Sequence, residues 1–140
     1  MKENRFYVCT KCGNIAGMIH DSGIPLFCCG EKMKKPEPFT EASHEKHLPC
    51  VKTEGNTVTV DVGSLAHPQE EKHSILWVYL QTDRGGQRKT LKTGEAPTVS
   101  FALRDEKPLR VYAYCNLHGL WTTEIDQPTA TLHQKERSEA

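Results

Sequence analysis

The chain has 140 residues, with 18 basic and 18 acidic side chains, 36% apolar residues, six cysteines and seven histidines. That length holds one ordinary domain, or one domain with a small module attached. The charge balance offers no footprint for nucleic acid or an anionic membrane surface, and no apolar run approaches the ~20 residues of a membrane span.

The opening MKENRFYVC lacks the apolar stretch of a secretory signal, so a cytoplasmic location is expected. In that reducing compartment six cysteines point to metal ligation or reactive thiols rather than a disulfide framework. Four of them, Cys9, Cys12, Cys28 and Cys29, fall in the first thirty residues, among several glycines and few large apolar side chains. Such a segment builds little core by itself, and small modules of this kind are usually stapled by metal or disulfides. The stretch KKPEPFTEA reads as a linker stiffened by Pro36 and Pro38.

From about residue 50 the pattern alternates. TVTVDV puts Val58, Val60 and Val62 on one face, and SILWVYLQ (74–81) reads as a more deeply buried strand. TDRGGQRK is expected to turn the chain through Gly85 and Gly86. TVSFALR then alternates through Val99, Phe101 and Leu103, and LRVYAYC through Leu109, Val111, Ala113 and Cys115. No segment holds a helical period over two turns. Short strands separated by turn signals predict an antiparallel β-sandwich. The final QPTATLHQKERSEA is polar and aperiodic and reads as a loose tail.

Two constellations carry chemistry. Cys9-x-x-Cys12 with the adjacent pair Cys28-Cys29 offers four thiolates, a set that suits tetrahedral Zn²⁺ or a single iron. Gly13 lets backbone amides turn toward the sulfurs. Neighbouring side chains rarely face one centre, so ligation by both Cys28 and Cys29 is expected to distort the tetrahedron. A thioredoxin-type redox pair fits poorly, because no βαβ pattern follows. The second set is scattered: His44, His47, His67, His73, Cys115 and His118, with His20 and His133 outlying. Each falls at a strand edge or in the loop after it. Loops gather at the ends of a sandwich, so distant ligands can converge there. Singly each histidine reads as a surface residue; together they mark a candidate second metal site.

CTKCG and FCCGEKM, followed by EKHLP, GSLAHPQEEKH and YCNLHGLW, resemble desulfoferrodoxin, the two-iron class of superoxide reductase, over about residues 5 to 125. The resemblance implies a mainly β chain: a desulforedoxin-like module over 1–36, an immunoglobulin-like antiparallel sandwich over 37–126 and the loose tail over 127–140. It implies one iron on Cys9, Cys12, Cys28 and Cys29. It implies a second, catalytic iron on the imidazoles of His47, His67, His73 and His118 and the thiolate of Cys115. His44 then drops out, since His47 stands in the family's Glu-Lys-His position. Zinc is an alternative occupant of the four-cysteine site, and calcium an incidental ion. Cys50, where the family more often has an apolar residue, is expected to be a packed free thiol near the second site.

The implied reaction is one-electron reduction of superoxide to hydrogen peroxide, with electrons from rubredoxin or a similar donor, in a homodimer. Lys46 is implied to steer the anion and order a proton-donating water, and Glu45 to take the oxidised iron's open position. Two other readings compete: a two-iron electron-transfer protein without turnover, and a zinc-stapled interaction module. A lysine beside the open metal position favours the enzyme, because an electron carrier has no anionic substrate to attract.

Overall fold

The computed structural model of the chain describes residues 5–38, 49–62, 74–92, 94–116 and 119–125. Its strands are β1 (Phe6–Val8), β2 (Ile15–Gly17), β3 (Phe27–Cys28), β4 (Glu31–Lys32), β5 (Pro49–Glu54), β6 (Thr57–Val62), β7 (Ile75–Thr82), β8 (Gly85–Thr90), β9 (Thr98–Ala102), β10 (Pro108–Cys115) and β11 (Gly119–Glu124). Among the described residues no helix is long and apolar enough to cross a membrane.

β5 to β11 form two antiparallel sheets, in the orders β5-β6-β9 and β11-β10-β7-β8. The alternation read in the sequence is what joins them. Val58, Val60, Val62 and Phe101 of the first sheet pack in one cluster with Ile75, Val78, Leu80, Val111, Ala113 and Cys115 of the second. Each is about 1% exposed or less, and burial of a large aliphatic side chain stabilises by roughly 1.5–3 kcal/mol. This is the expected sandwich.

One local expectation is corrected. Thr82 pairs with Gly85, so the turn residues are Asp83 and Arg84, and Gly85 and Gly86 open β8. Gly86 is required there because a Cβ would overlap the Tyr79 phenol. In β7 the buried positions are 75, 78, 80 and 82, a break in the period of two. The phase breaks because Tyr114 faces Trp77 while Cys115 faces Ile75, leaving Leu76 as a bulge.

The outer face of the larger sheet is also covered. Trp77 and Tyr114 stack there at 5.6 Å. Phe6 of β1 lies against Trp77, Tyr79 and Tyr112 at centroid distances of 5.1, 5.4 and 5.3 Å. Arg110, also on this face, is buried between Glu124 (3.0 Å) and Gln81 (2.9 Å). The N-terminal segment consists of two hairpins, β1-β2 and β3-β4, joined by paired Val8–Lys34 backbone hydrogen bonds. Lys34 therefore belongs to the hairpins rather than to the linker. As its composition predicts, this segment buries little: Phe6, Cys9 and Met33.

Candidate metal centre

The first centre is built by two turns. After β1 the chain reverses through residues 9–14, held by the Gly13 N–H donating to the Cys9 carbonyl and the Cys9 N–H to the Asn14 carbonyl, both at 2.9 Å. Gly13 sits at φ 85°. This turn places Cys9 and Cys12 side by side. Between β3 and β4, Cys28 pairs with Glu31, leaving Cys29 and Gly30 as a two-residue hairpin turn. Both have positive φ, 56° and 76°, the geometry that matches a right-handed strand twist. For Cys29 the left-handed conformation costs roughly 1–2 kcal/mol. It also answers the difficulty of neighbouring ligands: successive strand side chains face opposite ways, and the left-handed turn swings the Cys29 sulfur back toward that of Cys28.

The four sulfurs all lie within 4.8 Å of one another. Thiolates about 2.3 Å from a tetrahedral centre stand about 3.8 Å apart. The Cys12–Cys28 and Cys28–Cys29 separations, 3.6 and 4.0 Å, bracket that value. Cys9 is buried, Cys28 half-buried, and Cys12 and Cys29 are exposed. Hydrogen bonds from the Cys12 and Lys11 amides pull the Cys9 thiol down to about 6. Sharing hydrogen bonds with Cys12, Cys9 and Cys28 pushes the Cys29 thiol up to about 12. Without a cation the crowded sulfurs hold protons between them, and a bound cation removes that need.

Of the second constellation, Cys115 is described. It ends β10, fully buried within the sandwich core. It pairs with Gly119, so a three-residue loop carrying His118 is closed by these two positions. Gly119 takes φ 86°, as such loops require. His44, Glu45, Lys46, His47, His67, His73, His118 and His133 lie outside the described residues, as does the tail. In the sequence the expected ligands adjoin described strand ends: His47 precedes β5, His67 and His73 stand between β6 and β7, and His118 stands between β10 and β11. His20 is exposed and is not part of the four-sulfur cluster. Cys50 is exposed on β5 opposite Asp61, not packed; its position in the strand points it away from the core face.

Three contributors escaped the sequence reading. Asn14 donates its side-chain N–H to the Cys28 sulfur at 3.6 Å; its place directly after CTKCG was the available signal. Asn116 and Ser74 hydrogen-bond beside Cys115, and nothing local in either segment announces that pairing.

A two-sheet antiparallel sandwich with a buried cysteine at a strand end, joined to a four-thiol cluster on paired hairpins, defines a β-sandwich protein with a four-cysteine cluster fit for a metal. The family profile described as Desulfoferrodoxin matches residues 39–124. The desulfoferrodoxin of Nitratidesulfovibrio vulgaris is 44% identical over 84% of this chain and 94% of its own. The crystal structure of the superoxide reductase from Treponema pallidum is similar with a TM-score of 0.73 and 37% identity, covering 87% of this chain and 98% of that one. The one-iron superoxide reductase from Giardia intestinalis gives a TM-score of 0.52 and 34% identity over 59% of this chain and 99% of its own. The chain belongs to the desulfoferrodoxin family. The family implies iron centres, and the spacing and soft donors of the four-sulfur cluster fit a tetrahedral metal.

Proposed function

We propose that this chain is a superoxide reductase, giving one electron to superoxide, which takes up two protons and leaves as hydrogen peroxide. The extent of the family match carries the reading: residues 39–124 enclose His47, His67, His73, Cys115 and His118, the five donors that the resemblance implies for the second centre. Likeness to the Treponema pallidum superoxide reductase supports the same activity.

Ferrous iron, when bound by four imidazoles and one thiolate, supplies the electron. The chain's own part is to set its surroundings. Cys115 is sealed from water among Ile75, Val111 and Ala113, so a thiolate there keeps its electron density for the metal instead of sharing it with solvent. Lys46, one residue before His47, attracts the anionic substrate and orders a proton-donating water. Glu45 would hold the oxidised metal once product has left. Cys9, Cys12, Cys28 and Cys29 would hold the other iron, and a rubredoxin-like protein would supply electrons.

The same reading makes residues 1–36 the four-cysteine module, 37–126 the reductase domain and 127–140 the tail, in a cytoplasmic homodimer. Exposed Ile19, Ile24 and Phe27 on the poorly cored N-terminal segment support a second copy.

Protein purified from iron-replete cells should contain about two irons per chain. After reduction, a pulse of superoxide should yield one peroxide per superoxide consumed, without oxygen. Half that peroxide yield with oxygen evolved marks dismutation instead. Iron that cycles with chemical reductants yet leaves superoxide intact marks an electron carrier, and zinc in both sites with no peroxide marks an interaction module.

A further inference from the structure

We propose that Asn116, through its hydrogen bonds to the backbone of Ser74, is a positioning residue that holds the Cys115 sulfur in place for its metal. The proposal rests on the reading of Cys115 as the sulfur ligand of the second centre. Asn116 follows Cys115 directly and makes two bonds to a single residue. Its backbone N–H donates to the Ser74 carbonyl at 3.1 Å. Its side-chain Oδ1 accepts from the Ser74 N–H at 3.0 Å. Ser74 is 1% exposed, whereas Asn116 is exposed. A surface side chain thus reaches in to satisfy a buried backbone donor, a group that is costly to leave without a partner.

A regular ladder would not need it. In a hydrogen-bonded antiparallel pair the two residues exchange backbone bonds, each N–H to the other's carbonyl. Here the first bond is of that kind, and the side-chain oxygen replaces the carbonyl in the second. The side-chain oxygen thereby closes the end of the β7–β10 ladder beside Cys115. The Leu76 bulge is the other half of the device. By skipping one residue of β7 it sets Cys115 against Ile75 and brings Ser74 opposite Asn116. Bulges beside functional sites commonly re-aim a side chain in this way.

The consequence is positional. Ser74 follows His73, and Asn116 stands between Cys115 and His118. One pair of hydrogen bonds therefore ties together the two segments that carry three of the five expected ligands of the second centre. Groups that orient ligands typically change metal affinity by about 10- to 100-fold when removed.

The test uses the full chain with both centres loaded with iron. Asn116→Ala leaves the Ser74 N–H without its acceptor; Asn116→Asp keeps an oxygen at the same reach. Iron release to a chelator is followed separately at each centre by its own absorption, together with the energy of the sulfur-to-iron band of the second centre. Asn116→Ala should lose iron from the second centre roughly 10- to 100-fold faster and shift that band, with release from the Cys9, Cys12, Cys28 and Cys29 centre unchanged. Asn116→Asp should restore both readouts to near those of the unaltered chain. Equal acceleration at the two centres, or no rescue by aspartate, overturns the clamp. If the alanine variant does not fold, Asn116→Gln, which displaces the oxygen by one methylene, should show the same selective loss, and an unchanged rate in it overturns the proposal. Cys115→Ala separates the two claims. If its second-centre band survives, the ligand reading fails and the clamp with it; if the band is lost while Asn116→Ala is unchanged, the clamp alone fails.

Discussion

Replacing Phe6 by alanine should undock the N-terminal hairpins without unfolding the sandwich. Phe6 is 9% exposed and touches three rings, two of them edge-on at 85° and 77°. Truncating a buried phenylalanine costs about 3–5 kcal/mol in a closed core. The lower end applies here, because the gap left between hairpin and sheet face opens to solvent and water can fill it. About 3 kcal/mol corresponds to roughly a hundredfold shift toward the undocked form. The sandwich core is a separate cluster of Val58, Val60, Ile75, Leu80 and their neighbours, none of which touches this site through the same side chain. Its unfolding midpoint should therefore move little. Limited proteolysis measures the opening directly: when closing is fast relative to cleavage, the cleavage rate tracks the open population. The variant should be cut in the N-terminal segment roughly a hundredfold faster, while the second-centre absorption is retained. An unchanged cleavage rate, or a sandwich that loses the full 3 kcal/mol, would refute the view of Phe6 as the tie between two separately stabilised parts.

The four-sulfur centre should show a bend in its pH dependence. In the metal-free chain Cys9 is a thiolate above about 6, so below that pH a cation must displace one more proton and log affinity should fall one extra unit per pH unit. Chelator competition from pH 8 to 5 would reveal the bend, and a constant slope through pH 6 would count against a preformed thiolate. The same depression, from 9.0 to about 6, favours the metal-free fold: that contribution is complete above pH 9 and disappears as pH falls through 6. Lys46→Ala should keep its iron and spectrum but react with superoxide about tenfold more slowly, with a weaker dependence on ionic strength, as loss of electrostatic steering requires. Pulse radiolysis across a salt series measures both, and an unchanged rate and salt slope would make Lys46 an ordinary surface residue.

Much of the sandwich was legible because its inner face obeys a local rule. Val58, Val60 and Val62, and Val111, Ala113 and Cys115, alternate with residues that face the other way, and period two is a property of any strand. The outer face was not legible. Trp77, Tyr79, Tyr112 and Tyr114 each combine a large apolar body with a polar tip, so composition does not say whether they meet solvent or protein. Their cover, Phe6, comes from about seventy to more than a hundred residues away in the chain. Arg110 lies on this outer face and is nevertheless buried, because Glu124 and Gln81 arrive from neighbouring strands to pair it.

The sequence by itself determined the inventory of candidate donors: four cysteines in two close pairs, and a cysteine at the end of a strand three residues before a histidine. Ligand type and spacing are chemical and local, so they survive in one dimension. Only the tertiary structure decided how those donors are aimed. Cys29 turns its sulfur toward Cys28 by a left-handed backbone that no residue preference predicts for cysteine. Cys115 faces Ile75 only because Leu76 bulges, and Ser74 meets Asn116 for the same reason. Register and bulges depend on the summed packing of two sheets, in which a one-residue slip moves every side chain to the opposite face. That sum is a property of the folded whole, and no single segment contains it.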